Sequence, residues 1–311
     1  MTLHMTMFLR TMPAAMAALG GVLTACPVQA AGSGDQGEAM SHVRVELGLD
    51  RSAVGPGGSA TIGVRFIINE GWHLYWRNNG DSGMPIGVTF EAPEGVHVGE
   101  VRWPAPVRHI YGNGSVDYIY EHETALLAPI EIDDRFKAGD RVEITASFEL
   151  LACREACVFG TGERTVVIDI AESTAMREPG WMKKFRDRIP RRIDLGDHLR
   201  WDGTDLLISV YGGSRIDGLT FYPFAPMEPA PIDPLRDGTS ETDRLRIAYP
   251  PQIIGAQRVA GVVEIRARLS DSPAWIEIET TPPRAPTGAD AANEPTPAHE
   301  QPQPTKDRSG D

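Results

Sequence analysis

The chain has 311 residues, of which 41% are hydrophobic and 23% are charged, a composition typical of a globular protein of about two domains. Its formal net charge of −13 argues against nucleic-acid binding, because that function relies on clustered Lys and Arg to bind phosphates. Its 25 prolines and 32 glycines recur between short apolar stretches, which favours strands joined by turns over long helices.

Residues 1–30 have the features of a signal peptide. Arg10 supplies a positive charge, residues 12–25 form an apolar run, and Val28-Gln29-Ala30 supplies the small residues that signal peptidase requires. Cleavage before Ala31 predicts an exported protein of the bacterial periplasm. No later apolar run reaches the roughly 18 residues needed to cross a bilayer, so we expect a mature protein that does not span a membrane.

Lipidation is the alternative for the same segment. Leu23-Thr24-Ala25-Cys26 has the form of a lipobox, in which Cys26 becomes the lipid-modified first residue. Pro27 directly after the cysteine is unfavourable for this modification, so soluble export is the preferred prediction. Cleavage after Ala30 removes Cys26 and leaves two cysteines, an even number that indicates a disulfide or a redox pair in an oxidising compartment.

The next part of the chain predicts a β-sandwich. Residues 31–41 are rich in Gly and Ser and predict a flexible tether. From Val43 onward, apolar and polar residues alternate with a period of two, which is typical of a half-buried strand. The same alternation returns, with turn residues between the segments, at residues 62–68, 142–150 and 166–170. Regular short strands of this kind predict a sandwich domain over residues 42–172.

Residues 173–192 predict a linker with a short helix. Pro179 suits the first turn of a helix, and the apolar residues that follow fall on one helical face: Trp181, Met182, Phe185 and Ile189. We expect this helix to pack between two domains.

Strand-like alternation resumes over residues 193–280 and predicts a second β domain that resembles a sandwich. Residues 223–234 are rich in proline and predict a loop or a sheet edge. Residues 281–311 contain almost no apolar side chains and predict a disordered tail. The predicted fold class is therefore all-β, with one short linker helix.

One segment carries the chemically distinctive pair of the chain. Cys153 and Cys157 lie four positions apart at the end of a predicted strand, where a turn between them permits disulfide geometry. Arg154 favours a thiolate if it lies close, whereas Glu155 opposes one. The spacing alone leaves a structural disulfide, a redox-active pair and a metal site open.

Metal and cofactor chemistry have weaker support. Zinc is disfavoured because it needs four ligands and the histidines show no paired spacing. Copper(I) needs two or three soft ligands, which Cys153 and Cys157 with a methionine such as Met84 satisfy. The sequence contains no phosphate-binding loop and no catalytic serine motif, so we predict no cofactor and no hydrolase or nucleotide chemistry.

Three motifs in a fixed order resemble a known family. By itself the first one predicts a core strand followed by a tight loop. The motifs are Trp72-His73-Leu74-Tyr75-Trp76-Arg77-Asn78 with Gly80-Asp81-Ser82-Gly83, Trp103-Pro104-Ala105-Pro106, and Leu151-Ala152-Cys153-Arg154-Glu155-Ala156-Cys157. Together they resemble the periplasmic N-terminal region of the DsbD thiol:disulfide interchange proteins, and most closely the ScsB variant linked to copper-sensitivity suppression. The resemblance covers residues 42–172, and the second β region is similar to the domain that follows in longer members.

This resemblance implies an immunoglobulin-like sandwich that carries a redox cysteine pair. Carried over to this chain, the pair is Cys153 and Cys157, and Cys157 forms the mixed disulfide with partners. A short loop caps the cysteines in the family, and the residues at the matching place are His109, Ile110 and Tyr111. The cysteine spacing is shorter than in the best-known members, which puts the cap and the partner contacts in doubt.

The resemblance also implies partners. The expected electron donor is a thioredoxin-like or membrane protein on a separate chain, and the expected acceptors are oxidised periplasmic proteins. We expect the chain to lack the membrane and thioredoxin-like domains of long members, so that any protein-disulfide reductase activity depends on a partner. The alternatives are a copper(I)-binding or copper-tolerance protein, and a non-enzymatic binding sandwich with a structural disulfide.

Overall fold

The computed structural model describes residues 35–225, 229–232, 238–256 and 258–283. The predicted signal peptide, Cys26 and the predicted tail beyond residue 283 lie outside the described residues. Strands dominate the described part of the chain, which confirms the all-β prediction. None of the helices in these ranges is long and apolar enough to span a membrane.

The first domain is a sandwich of two sheets. Its strands are β1 (Val43–Leu49), β2 (Arg51–Val54), β3 (Ser59–Ile68), β4 (His73–Gly80), β5 (Gly87–Glu91), β6 (Val96–Val98), β7 (Val107–Ile110), β8 (Val116–Glu121), β9 (Glu123–Ile132), β10 (Arg141–Cys153), β11 (Cys157–Ile170) and β12 (Ala175–Met176). One sheet has the order β1-β3-β9-β6. The other has the order β12-β2-β11-β10-β4-β8-β7, and β5 pairs with β10 as well.

Side-chain alternation builds the core between these sheets. Val64 and Phe66 of β3 face Phe148 and Leu150 of β10, and all four are buried in one cluster. The rings of Phe66 and Phe148 meet edge to face with centroids 6.0 Å apart, an arrangement that aromatic pairs prefer. The predicted immunoglobulin-like sandwich is therefore confirmed.

The segment before β1 departs from the prediction. The sequence predicts a loose tether over residues 31–41, but the described part of this segment packs on the sandwich. Gln36 exchanges backbone hydrogen bonds of 2.8 and 2.9 Å with Thr161 of β11. At Gly37, a Cβ atom would lie 2.3 Å from the carbonyl oxygen of Phe159, so this close approach requires glycine. Amino-acid composition predicted flexibility here because it carries no information about contacts between backbones.

The predicted helix is present as α1 (Gly180–Arg186), but its position differs from the expected one. Met182 and Phe185 are fully buried against Ala125 and Leu127 of β9. The neighbouring residues of β9 point into the sandwich, so α1 covers the outer face of the first domain instead of filling the space between two domains.

The second domain is also a sandwich. Its strands are β13 (Arg191–Arg192), β14 (Leu199–Asp202), β15 (Asp205–Ser209), β16 (Ile216–Pro223), β17 (Thr239–Ser240), β18 (Arg244–Ala248), β19 (Val259–Ala267) and β20 (Ala274–Thr280). They form the sheets β13-β20-β19-β16-β17 and β14-β15-β18. Leu206 and Ile247 from one sheet meet Leu219 and Val263 from the other in a buried cluster, which confirms the predicted second sandwich.

An aromatic junction joins the two domains. Trp76 of β4 is fully buried, and its ring meets Tyr222 of β16 with centroids 6.5 Å apart. Tyr118 of β8 lies 5.7 Å from the same tyrosine ring. The side-chain amide of Asn78 donates a hydrogen bond of 2.9 Å to the carbonyl of Pro223. The aromatic motif of the sequence therefore supplies a domain contact as well as a core strand.

We expect Trp76→Ala to lower the free energy of unfolding by about 3–5 kcal/mol, because it leaves a cavity where a buried ring joins the two domains. Denaturant unfolding followed by circular dichroism measures this loss. The matched control is Tyr211→Ala, which removes an aromatic ring that is 83% exposed and should change stability by about 0.5 kcal/mol or less. Equal effects of the two substitutions would contradict a packed junction.

Candidate functional site

Cys153 and Cys157 form a disulfide at the end of the β10–β11 hairpin, with their Cα atoms 4.1 Å apart. The turn between them is held by a hydrogen bond of 3.2 Å from the amide of Arg154 to the carbonyl of Ala156. The backbone groups of Thr161 point away from β10, toward Gln36. By the alternation of an antiparallel ladder, Cys157 then occupies a pair without hydrogen bonds, where opposing side chains are closest.

The two sulfur-bearing residues differ in access. Cys153 is 3% exposed, whereas Cys157 is exposed. The difference follows from the sheet order: β10 has a neighbour on each side, and Cys153 pairs with His73 of β4. In the described chain β11 pairs with β2 only at Asp169 and Ile170, so its first residues lie at a sheet edge.

An apolar pocket encloses Cys153. Tyr75, Ile119 and Leu151 pack around it on the outer face of the sheet, and the first two are 2% and 0% exposed. Burial in apolar surroundings disfavours a charged thiolate at this position.

Residues 79–85, which we call the strap, fold back over Tyr75. Gly83 lies flat on the tyrosine ring, because a Cβ atom there would sit 2.1 Å from the ring carbon Cζ, and its φ of 78° also favours glycine. The side-chain amide of Asn79 donates a hydrogen bond of 2.8 Å to the carbonyl of Ser82 and closes the turn. The strap therefore shields Tyr75, and with it Cys153, from solvent.

A buried carboxylate anchors the strap to β8. Asp117 is 0% exposed, and its oxygens accept hydrogen bonds from the Ser82 amide at 2.9 Å and the Ser82 hydroxyl at 2.5 Å. Tyr111 donates a further hydrogen bond to it, and burial together with this carboxylate raises the pKa of Tyr111 to about 12. Tyr111 therefore stays protonated, as a donor to a buried anion must.

Two neutral polar groups lie beside Cys153. The ring nitrogen Nε2 of His73 is 3.3 Å from the hydroxyl of Tyr75. Burial, and next the charge of His109, lower the pKa of His73, so its imidazole is neutral at neutral pH. Burial also raises the pKa of Tyr75, which keeps its hydroxyl protonated.

The exposed turn residue Arg154 contacts one aromatic ring. Its guanidinium lies 5.5 Å from the ring centroid of Trp72, and Trp72 in turn stacks on His42 at 3.8 Å. This cation–π contact fixes the turn that separates the cysteines.

The structure separates the three residues predicted to cap the cysteines. His109 pairs with Asp117 across β7 and β8, which places it on the face that carries Cys153, and its ring lies 4.5 Å from Tyr111. Ile110 pairs with Val116 on the opposite face and is 53% exposed. His109 and Tyr111 thus belong to the wall of the site, whereas Ile110 does not cover the cysteine face.

Sequence reasoning did not identify Tyr75, Ile119, Ser82 and Asp117 as site residues. Successive side chains of a strand lie on opposite faces of the sheet, so Tyr75 and Trp76 cannot both face the core. This signal in the sequence could have identified Tyr75. The pairing of β8 with β4, which brings Asp117 and Ile119 to the cysteines, is a long-range contact that the local pattern does not encode.

The geometry of the described residues adds no support for a metal site. The described residues contain no group of three or more His, Cys, Asp or Glu placed to hold a metal ion. Copper binding by the two cysteines stays a hypothesis from the sequence.

Comparison with known proteins finds a family match within the first sandwich. Residues 47–168 match the family model described as thiol:disulfide interchange protein DsbD, N-terminal. The match includes both cysteines and confirms the resemblance of the sequence motifs to that family.

Two solved structures are similar to the chain. The N-terminal periplasmic domain of ScsB from Proteus mirabilis aligns with 78% of this chain and 94% of its own, at 16% identity and a TM-score of 0.49. The sporulation control protein Spo0M from Bacillus subtilis aligns with 77% of this chain and 90% of its own, at 7% identity and a TM-score of 0.22. No curated protein matches the sequence.

We expect Gly83→Ala to speed the reduction of the disulfide by dithiothreitol severalfold, because the new methyl group displaces the strap from Tyr75 and opens the pocket of Cys153. Samples are stopped at intervals with an alkylating reagent, and mass spectrometry counts the alkylated thiols. The increase in alkylated thiols with time gives the rate of reduction. Gly139→Ala is the matched control: its φ of 101° brings the same kind of backbone strain, about 1–2 kcal/mol, but nothing lies within 4 Å of the added atom. If both variants are reduced at the same rate, the strap does not shield the disulfide.

Proposed function

We propose that the first sandwich is a periplasmic thiol–disulfide exchange module that acts through Cys153 and Cys157. The observation that carries this proposal is the difference in access, because an exposed Cys157 beside a buried Cys153 permits attack at one sulfur. The family match over residues 47–168 supports it, and the predicted signal peptide supports the compartment.

The exchange proceeds in two displacements. A thiolate of the partner attacks Sγ of Cys157, a new disulfide forms between partner and Cys157, and Cys153 leaves with the electron pair and takes up a proton. A second thiolate of the partner then attacks the partner's sulfur in the mixed disulfide. A disulfide forms within the partner, and the sulfur of Cys157 leaves and takes up a proton. Two electrons pass from the partner dithiol to the cysteine pair, and the same steps in reverse reduce an oxidised acceptor protein.

The residues around Cys153 require a proton to reach it as it leaves. The pocket of Tyr75, Ile119 and Leu151 disfavours a charge on the departing sulfur, so its departure depends on protonation. The neutral polar groups beside Cys153 are Tyr75 and His73. The 3.3 Å contact between the Tyr75 hydroxyl and Nε2 of His73 links the pocket to the half-exposed histidine. This arrangement supports exchange through Cys157.

The partners belong to the same proposal. A thioredoxin-like or membrane protein on a separate chain serves as the electron donor, and oxidised periplasmic proteins serve as acceptors. The module supplies the cysteine pair, in which the exposed Cys157 is the sulfur that the partner attacks.

The reduction potential of Cys153–Cys157 tests this function. We expect a value of roughly −180 to −270 mV for the full chain equilibrated against glutathione, the range of working exchange proteins. A value below about −300 mV would mark a structural disulfide that periplasmic thiols do not readily reduce, and the exchange function would then be withdrawn.

Single cysteine variants test the direction of attack. We expect Cys153→Ser, which keeps Cys157, to form a mixed disulfide with a small aromatic disulfide at least tenfold faster than Cys157→Ser, because only the former retains an exposed sulfur (an order-of-magnitude estimate, about 1.4 kcal/mol of barrier). Each variant is the control of the other, since both lose the same disulfide. Equal rates would contradict selective attack at Cys157.

A further inference from the structure

The position of a bound partner follows from the mixed disulfide, and this inference rests on the proposed function. A partner joined to Cys157 has its neighbouring residues on the outer face of the β10–β11 hairpin. The first side chain there is Phe159, which is 47% exposed and shares a face with Cys157 because the two are two positions apart on β11. An apolar residue of the partner next to its cysteine can cover this ring.

A groove continues along the same face. It has a volume of about 560 Å³, and the residues that line it include Gln36, Gly87, Ser147, Glu149, Thr161 and Glu163. Its nearest ladder pair, Glu149 with Thr161, is four residues from the Cys153–Cys157 pair. At about 3.4 Å per residue this is roughly 14 Å, the span of about four residues of an extended peptide.

Unpaired acidic groups line this groove. Glu149 and Glu163 are both exposed and form no ion pair within the described part of the chain, although Glu163 accepts a hydrogen bond from Ser147 at 3.2 Å. Glu121 and Glu155 add two more carboxylates beside the disulfide, the first opposite His73 and the second in the turn. The electrostatic potential in the groove is therefore negative.

No Lys or Arg is among the described residues that line the groove. The neighbouring Arg164 pairs with Asp35 at 2.6 Å. The guanidinium of Arg154 lies over Trp72, in the turn beside the disulfide and outside the residues that line the groove.

We propose that this groove binds an extended segment of the partner polypeptide that carries Lys or Arg about four and six residues from its reacting cysteine. Charge complementarity selects a basic segment, and the exposed ring of Phe159 selects an apolar residue between that cysteine and the first basic residue. The groove thereby gives the exchange module a preference among oxidised proteins.

Model peptides test this preference. Each peptide carries one cysteine capped with thionitrobenzoate, an apolar residue two positions away, and either Lys or Glu at the fourth and sixth positions, in series that run to either side of the cysteine. The reduced full chain attacks the capped cysteine, and the rate follows from the release of coloured thiol. In about 0.01 M salt we expect the Lys peptide of at least one series to react roughly tenfold faster than its Glu counterpart, and in about 1 M salt we expect near equality.

Matched variants test whether Glu149 and Glu163 cause the preference for the Lys peptide. Glu149→Gln with Glu163→Gln should reduce the preference to about threefold or less. Glu131→Gln with Glu143→Gln removes the same charge from exposed positions far from the groove and should leave the preference intact. Circular dichroism confirms that each variant is folded.

Several results would overturn the proposal. Equal rates for Lys and Glu peptides, or a preference that survives removal of Glu149 and Glu163, would show that the groove does not select the partner while exchange itself stands. A uniform rise in all rates after deletion of residues 31–34 would assign the groove to the chain's own amino-terminal segment. A folded, reduced chain that reacts with none of the peptides would remove the exchange function itself.

Discussion

Side-chain alternation along β4 is the constraint on which the site and the domain arrangement both depend. His73 and Tyr75 project to the outer face, where they lie beside Cys153. Leu74 and Trp76 project to the inner face, where they pack into the core and against the second sandwich. A slip of one residue in the register of β4 would exchange these faces and remove both contacts at once. The pocket of Cys153 is thus built on a strand that is fixed from both sides.

The asymmetry of the cysteine pair has the same origin in sheet order. The cysteines face each other across one hairpin and are equivalent in spacing and ladder position, yet β4 pairs with β10 at Cys153, whereas β2 pairs with β11 only at the far end of that strand. The strap increases this difference, and its anchor is the buried carboxylate of Asp117. An unsatisfied buried carboxylate would cost several kcal/mol, so the hydrogen bonds from Ser82 and Tyr111 hold the strap closed.

Local patterns in the sequence were sufficient for the elements of the fold. Period-two alternation predicted the sandwiches, the apolar face predicted the helix near Trp181, and the spacing of Cys153 and Cys157 at a strand end suggested a pair. The patterns did not show which strands are neighbours, because pairing joins residues far apart in the chain. Asp117 illustrates the limit: a carboxylate on a strand suggests a solvated face, whereas β4 and the strap bury it. The face of Ile110 was hidden for the same reason, since it is set by the register that pairs Ile110 with Val116.

The second sandwich packs against the same two strands that carry the pocket of Cys153. Its contacts with the first domain at Trp76 and Tyr118 lie on the inner face of β4 and β8. The residues that alternate with them, Tyr75 and Ile119, form the pocket of Cys153 on the outer face. The junction and the pocket are therefore two sides of the same pair of strands, and packing at one side restricts motion at the other. Among the described residues, the contacts of the junction lie on the inner face, so the second sandwich supports these strands from the side opposite the disulfide.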